Sequence, residues 1–185
     1  MSNVVITATP SGGSAIAEGG DADVAQGTTV TLNYSSLDEC YTWGGWSVTK
    51  VGGGSVSVSG SGNGATFTVP TDADVVVTAT VTAKTMYNIT WHIPSDANGT
   101  GGVIADDAVT QRCNGGTFTM PGLKSNPTGD YNCQTLIGWT FSSGAFESKT
   151  GAMPSPFYAV GATSPAITSD TTFYAVYSRP GAGSS

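Results

Sequence analysis

Apolar and polar residues alternate along much of this chain. In "TVTLNY", Val30, Leu32 and Tyr34 fall on one side and Thr29, Thr31 and Asn33 on the other. Further along, "ATFTV" places Ala65, Phe67 and Val69 together, and "VVVTATVTA" does the same for Val75, Val77, Ala79, Val81 and Ala83. "YNITWHI" aligns Tyr87, Ile89, Trp91 and Ile93, and a last strand aligns Phe173, Ala175 and Tyr177. A period of two is that of a strand with one buried and one wet face. Gly- and Asn-rich stretches such as "VGGGS", "SGSGNG" and "DANGTGG" interrupt these runs and predict turns. With 26 Gly among 185 residues, helices are disfavoured, while the Val and Thr content suits pleated strands. The expected class is all-β with little helix.

The pattern occurs twice. "CYTWGGW" at Cys40–Trp46 is echoed by "CQTLIGW" at Cys133–Trp139. Before it, Ile6-Thr7 matches Ile89-Thr90, and "GTTVTL" from Gly27 matches "GTFTM" from Gly116. After it, "DVVVTATV" from Asp74 matches "DTTFYAVY" from Asp170. The matched pieces keep their order, and their separation grows as loop insertions would make it grow. Two tandem domains are predicted, 1–84 and 85–178, with an inserted loop at 143–165 and a tail at 179–185. Each core is expected to be anchored by one indole, Trp46 or Trp139.

These pieces resemble a known family. "YNITWHI", "LIGWT" and "ITSDTTFYAVYS" in the second copy resemble the Listeria–Bacteroides repeat, also called the internalin B-repeat. "ITATPSGGSA", "GTTVTL", "GGWSV" and "FTVPTDADVVVTATV" resemble a divergent version of it. The resemblance implies small β-grasp-like or sandwich modules, used in series as spacers or adhesive stalks on bacterial surface proteins. It brings no catalytic residue with it.

Charge narrows the partners. Six basic residues and a net charge of −7 leave little to neutralise phosphates, so neither nucleic acid nor an anionic membrane surface is expected as a partner. The start, "MSNVVITATP", has no basic region and only a short apolar run, so no secretory signal is expected there. No stretch is apolar for long enough to insert as a membrane helix.

Candidate chemistry is thin. Cys113 and Cys133 lie in one copy and could pair, but Cys133 is the repeat-mate of Cys40, which has no partner in its own copy. Reduced, buried thiols are the favoured reading for such equivalent positions. Three scattered cysteines and one histidine make no metal set, so no metal or cofactor is expected. His92 alternates to the polar side of its strand and is read as a bystander. The Asp21/Asp23 and Asp72/Asp74 pairs resemble half of a calcium loop but lack the remaining ligands; turn chemistry explains them better.

Aromatics offer more. Trp43, Tyr41 and Tyr131 fall near strand ends, where rings can stack on sugars or anchor a partner. The inserted loop carries Phe146, Phe157 and Tyr158, and Tyr174 and Val176 fall on the nominally wet side of the last strand. These five are the expected partner contacts. The resulting expectation is a non-enzymatic structural protein of a large assembly, an auxiliary or decoration protein on a bacteriophage head, in virions assembled in the host cytoplasm. It would contact capsid or other surface proteins, with glycans as a further partner class. The alternatives are a fragment of a bacterial cell-surface adhesin or stalk, and a carbohydrate-binding module.

Overall fold

A computed structural model describes residues 4–10, 16–17, 22–143 and 153–178. The chain divides into two compact units, Met1–Lys84 and Thr85–Ser185. Both are all-β, and a single 3-10 turn, Gly129–Tyr131, is the one helical element among the described residues.

The first unit holds β1 (Val4–Pro10), β2 (Ile16–Ala17), β3 (Thr29–Leu37), β4 (Tyr41–Lys50), β5 (Ser55–Val56), β6 (Ala65–Thr68) and β7 (Val75–Ala83). They form a four-stranded sheet, β2-β1-β3-β6, and a three-stranded sheet, β5-β4-β7. All pairings are antiparallel. Ala8, Val30, Leu32, Val48, Ala65 and Phe67 form the core, so residues from both sheets meet in one sandwich interior. Trp46 packs at the margin of that cluster and is only half-buried, so the expectation that it anchors the core is corrected. Leu32, Val30 and Val48 hold that position, at 1% exposure or less. Their methyl-rich side chains fill the narrow gap between two small sheets.

The second unit holds β8 (Met86–His92), β9 (Ser95–Asp96), β10 (Gly99–Thr100), β11 (Val103–Ile104), β12 (Gln111–Cys113), β13 (Leu123–Ser125), β14 (Thr135–Thr140), β15 (Phe157–Ala159) and β16 (Thr171–Ser178). Its main sheet runs β12-β8-β16-β14-β15, with β9/β10 and β11/β13 as separate small ribbons. The first and last long strands, β8 and β16, are central and parallel, with Phe173 beside Trp91 and Tyr174 beside His92.

Trp139, at 0% exposure, is at the heart of this core with Ile89, Phe173, Ala175 and Tyr177. The cover comes from irregular chain. "GTFTM" (116–120) is not a regular strand as its match to "GTTVTL" implied, yet it delivers Phe118 and Met120 into the core. Its backbone is held by a run of bonds to 161–167, including Met120 N–H to Ala162 O (2.8 Å), Ser164 N–H to Phe118 O (2.8 Å) and Ile167 N–H to Gly116 O (3.0 Å). Buried loop backbone must find such partners. Among the described residues no buried side-chain polar atom lacks one.

The two units share one sub-structure. Trp46 lies across from Ala79 between β4 and β7, and Trp139 lies across from Ala175 between β14 and β16. Each of these antiparallel pairs slips register just before its Trp, between Trp43 and Gly45 and between Leu136 and Gly138. A bulge inserts one extra residue and restores the same side to positions three apart. That is why Trp43 and Trp46 meet edge-on, centroids 4.8 Å apart, and why Leu136 and Trp139 both pack on one core. The Cys…Gly-Trp pattern is therefore architecture: a bulged strand lying against the last strand of its unit. Elsewhere the units differ. The first strand of the first unit pairs with β3, whereas that of the second unit pairs with its last strand.

No helix among the described residues is long and apolar enough to cross a membrane.

Candidate functional site

The outer side of the five-stranded sheet gathers most of the expected contact residues. Cross-strand partners share a side of a sheet. Thr140 partners both Phe157 and Tyr174, and Tyr174 partners His92, so these four residues form one row across β15, β14, β16 and β8. The next row is Ala159, Gly138 and Val176. Four strands at the usual spacing make the row about 14 Å wide. Phe157 and Tyr174 are half-buried, and His92 is exposed with its ring 5.2 Å from that of Tyr174.

Two of the expected contacts are corrected. Val176 is 4% exposed and not available to a partner. A Cβ built on Gly138 would fall 2.6 Å from the Phe157 ring, so that ring lies over Gly138 and beside its register partner Val176. Tyr158 is on the opposite side, across from Trp139, and packs half-buried against the core. Phe146 lies outside the described residues, as do Asp21 and the tail at 179–185. Thr140, which the sequence did not single out, is 0% exposed and donates its hydroxyl to Pro156 O at 2.7 Å. This bond fixes the chain entering β15 and hence the position of Phe157.

A second aromatic group sits in the first unit. Tyr34 stacks on Trp43 at 4.3 Å, and Trp43 meets Trp46 edge-on. The loop "SGSGNG" wraps this group: Trp43 Nε1–H donates to Ser61 O (2.6 Å) and Trp46 Nε1–H to Gly62 O (2.9 Å). Asn63 Oδ1 accepts from Tyr34 N–H, and Asn33 Oδ1 accepts from Gly64 N–H. Both indole N–H groups are thus spent on the loop, and the rings keep partly exposed flanks. Trp43 was expected near a strand end; it lies within β4, and the Gly-Gly between two Trp was the signal for the bulge.

The second unit also has an open cleft of about 460 Å³. Amides of Asn126, Asn132 and Gln134 line it with Leu136, Val160 and the Cys133 thiol. Cys133 is free and exposed, so no Cys113–Cys133 bridge forms. Cys40 and Cys113 are each disulfide-bonded, which corrects the expectation of reduced thiols throughout. Reasoning from repeat-mates failed because Cys40 and Cys133 occupy equivalent positions but different chemical states.

Ionisable groups serve structure. Tyr177 is pushed up to about 12, first by burial and then by the nearby Tyr131. Its hydroxyl donates to Gly101 O at 2.7 Å. Tyr131, on the 3-10 turn, donates to Asp96 Oδ2 at 3.0 Å. Asp72 pairs with Lys50, and Asp23 and Asp74 are exposed in irregular chain.

Compared with family models, with curated proteins and with solved structures, the chain matches none.

Proposed function

We propose that this chain is a non-enzymatic structural protein of a large assembly, an auxiliary or decoration protein on the exterior of a bacteriophage particle. One observation carries the reading: Phe157, Tyr174 and His92 are aligned on the outer side of a sheet whose opposite side is the core. An aromatic row backed by a packed interior suits docking on another protein, where aromatic anchors supply much of the affinity. Low basic content also fits a contact with protein in preference to nucleic acid. The B-repeat resemblance is part of the same proposal, with two β-modules as spacers presenting one contact side.

The experiment is quantitative mass spectrometry on purified particles, followed by cryo-EM of the same material. A fixed copy number relative to the major capsid protein, with density over the Phe157/Tyr174 row, supports the reading. Absence of the chain from washed particles overturns it.

A second reading is favoured by the disulfide-bonded state of Cys40 and Cys113. Disulfides persist in oxidising compartments, which suits a bacterial surface adhesin or stalk. Surface labelling of intact cells that retain the chain in their wall fraction would support this reading over the particle.

A further inference from the structure

Strand β7 has an edge that its counterpart in the second unit does not leave open. Among the described residues β7 pairs with β4 alone. The matching strand, β16, has β14 on one side and β8 on the other. The first strand of the first unit is committed elsewhere, to β2 and β3. The inward residues reflect this. Val75, Val77, Ala79 and Val81 all stay partly exposed, whereas Phe173, Ala175 and Tyr177 on β16 are buried.

Natural edges are usually blunted by charge, proline, a bulge or brevity. The other edge strands of the sheets that hold β7 and β16 follow that rule: β5 has two residues, and β12 and β15 have three each. By contrast β7 has nine residues, with no charge, no proline and no glycine. The bulge in this pair sits on β4, which leaves β7 regular.

The sequence of β7 also reads the same in both directions about Ala79: "VTATV" spans 77–81. An antiparallel partner of identical sequence, centred on Ala79, sets Val77 opposite Val81 and Thr78 opposite Thr80. Inward positions then meet inward positions, and the threonine side meets itself, which favours cross-strand pairing. The two residues flanking the strand are Asp74 and Lys84, and the same register sets each opposite the other. Among the described residues neither has an ion-pair partner.

We propose that two copies of this chain associate through β7, edge to edge and antiparallel about Ala79, forming one continuous six-stranded sheet. The contact is isologous, so it closes at two copies. It does not depend on the particle reading, because a free chain in solution forms it.

The test is sedimentation velocity on the full chain across the micromolar range. The expected species has twice the mass of the 18.6 kDa chain. Asp74→Lys at an exposed position and Lys84→Asp at a partly exposed one, each flanking the strand, should each weaken association about tenfold by setting like charges opposite one another. The double exchange should restore it. Register is read by oxidation in a Cys133→Ser background: Ala79→Cys should give a covalent dimer, and Val75→Cys, which meets Ala83, should not. A chain monomeric at every concentration overturns the proposal, whether β7 is left open or filled by a strand of its own chain or of another protein. So does a dimer indifferent to the single charge reversals, or one that cross-links through Val75→Cys and not through Ala79→Cys.

Discussion

Trp91 stacks on Phe173 with ring centroids 4.9 Å apart and planes 17° apart, and the two are register partners across the parallel pair β8/β16. The contact joins the beginning of the second unit to its end. Trp139 adds an edge-on contact to Trp91 at 4.7 Å, so three large rings lock three neighbouring strands. Such pairs contribute about 0.5–1.5 kcal/mol each beyond the area they bury.

Replacing Trp139 should therefore be costly. Trp139→Ala is expected to destabilise the second unit by about 3–5 kcal/mol, because it leaves a large cavity and strands the Pro121 carbonyl that accepts its indole N–H at 2.9 Å. Trp46→Ala, at a half-buried site, should cost roughly half as much. Denaturant unfolding followed by far-UV circular dichroism measures both, and equal losses would contradict the different roles of the two indoles.

Gly138 is held by its neighbours. A Cβ there would collide with the Tyr158 carbonyl and the Phe157 ring. Gly138→Ala should displace β15 and cost about 1–3 kcal/mol, as overpacking does. Gly62→Ala, with nothing within 4 Å of the new atom, is the control and should be close to neutral. Loss of amide-exchange protection at Phe157–Ala159 in the first variant alone would confirm the displacement.

Tyr177 sets a pH dependence. The folded chain holds its phenol protonated up to about 12, while the unfolded chain releases the proton near the ordinary tyrosine value of 10.0. Between those values the folded state binds more protons than the unfolded one, so stability falls as pH rises through that window. Below pH 10 this group leaves stability unchanged. Absorbance at the phenolate band should show one tyrosine titrating late, and Tyr177→Phe should remove that step. The same variant should lose about 1 kcal/mol at neutral pH with the bond to Gly101 O.

Thiol counting separates the three cysteines. The folded, unreduced chain should show one reactive thiol, that of Cys133, and three after reduction and unfolding. Three in the folded, unreduced state would refute the disulfide-bonded state of Cys40 and Cys113.

His92→Ala should change stability by less than about 0.5 kcal/mol, since the side chain is exposed. Its effect is expected in partner binding, together with Tyr174→Ala, by loss of occupancy on particles.

Much of the fold was legible because alternation reports burial directly. The inward sets of β3, β6, β7, β8 and β16 follow from a period of two, and Trp139 from its place in the repeat. What stayed hidden depended on departures from that period. A bulge breaks parity, so a plain count places Trp43 and Trp46 on opposite sides. Val176 counts as wet by alternation, yet it is 4% exposed, which a period of two does not announce. The core of the second unit recruits Phe118, Met120 and Ile167 from irregular chain, where no periodicity announces them. The outer row was half-visible: Phe157 and Tyr174 were expected contacts and His92 was read as a bystander, and their alignment across four strands is a property of register.

The central pairing of β8 with β16 also orders events during synthesis. A ribosome delivers Met86–His92 early and Thr171–Ser178 nearly a whole unit later, and contacts so distant along the chain form slowly. Until that final stretch emerges, the early strand has no neighbour on one flank, and Trp91 has no Phe173 to cover it. A message truncated anywhere upstream of Thr171 would thus yield a nascent product with an unclosed second half, fit for proteolysis and not for use.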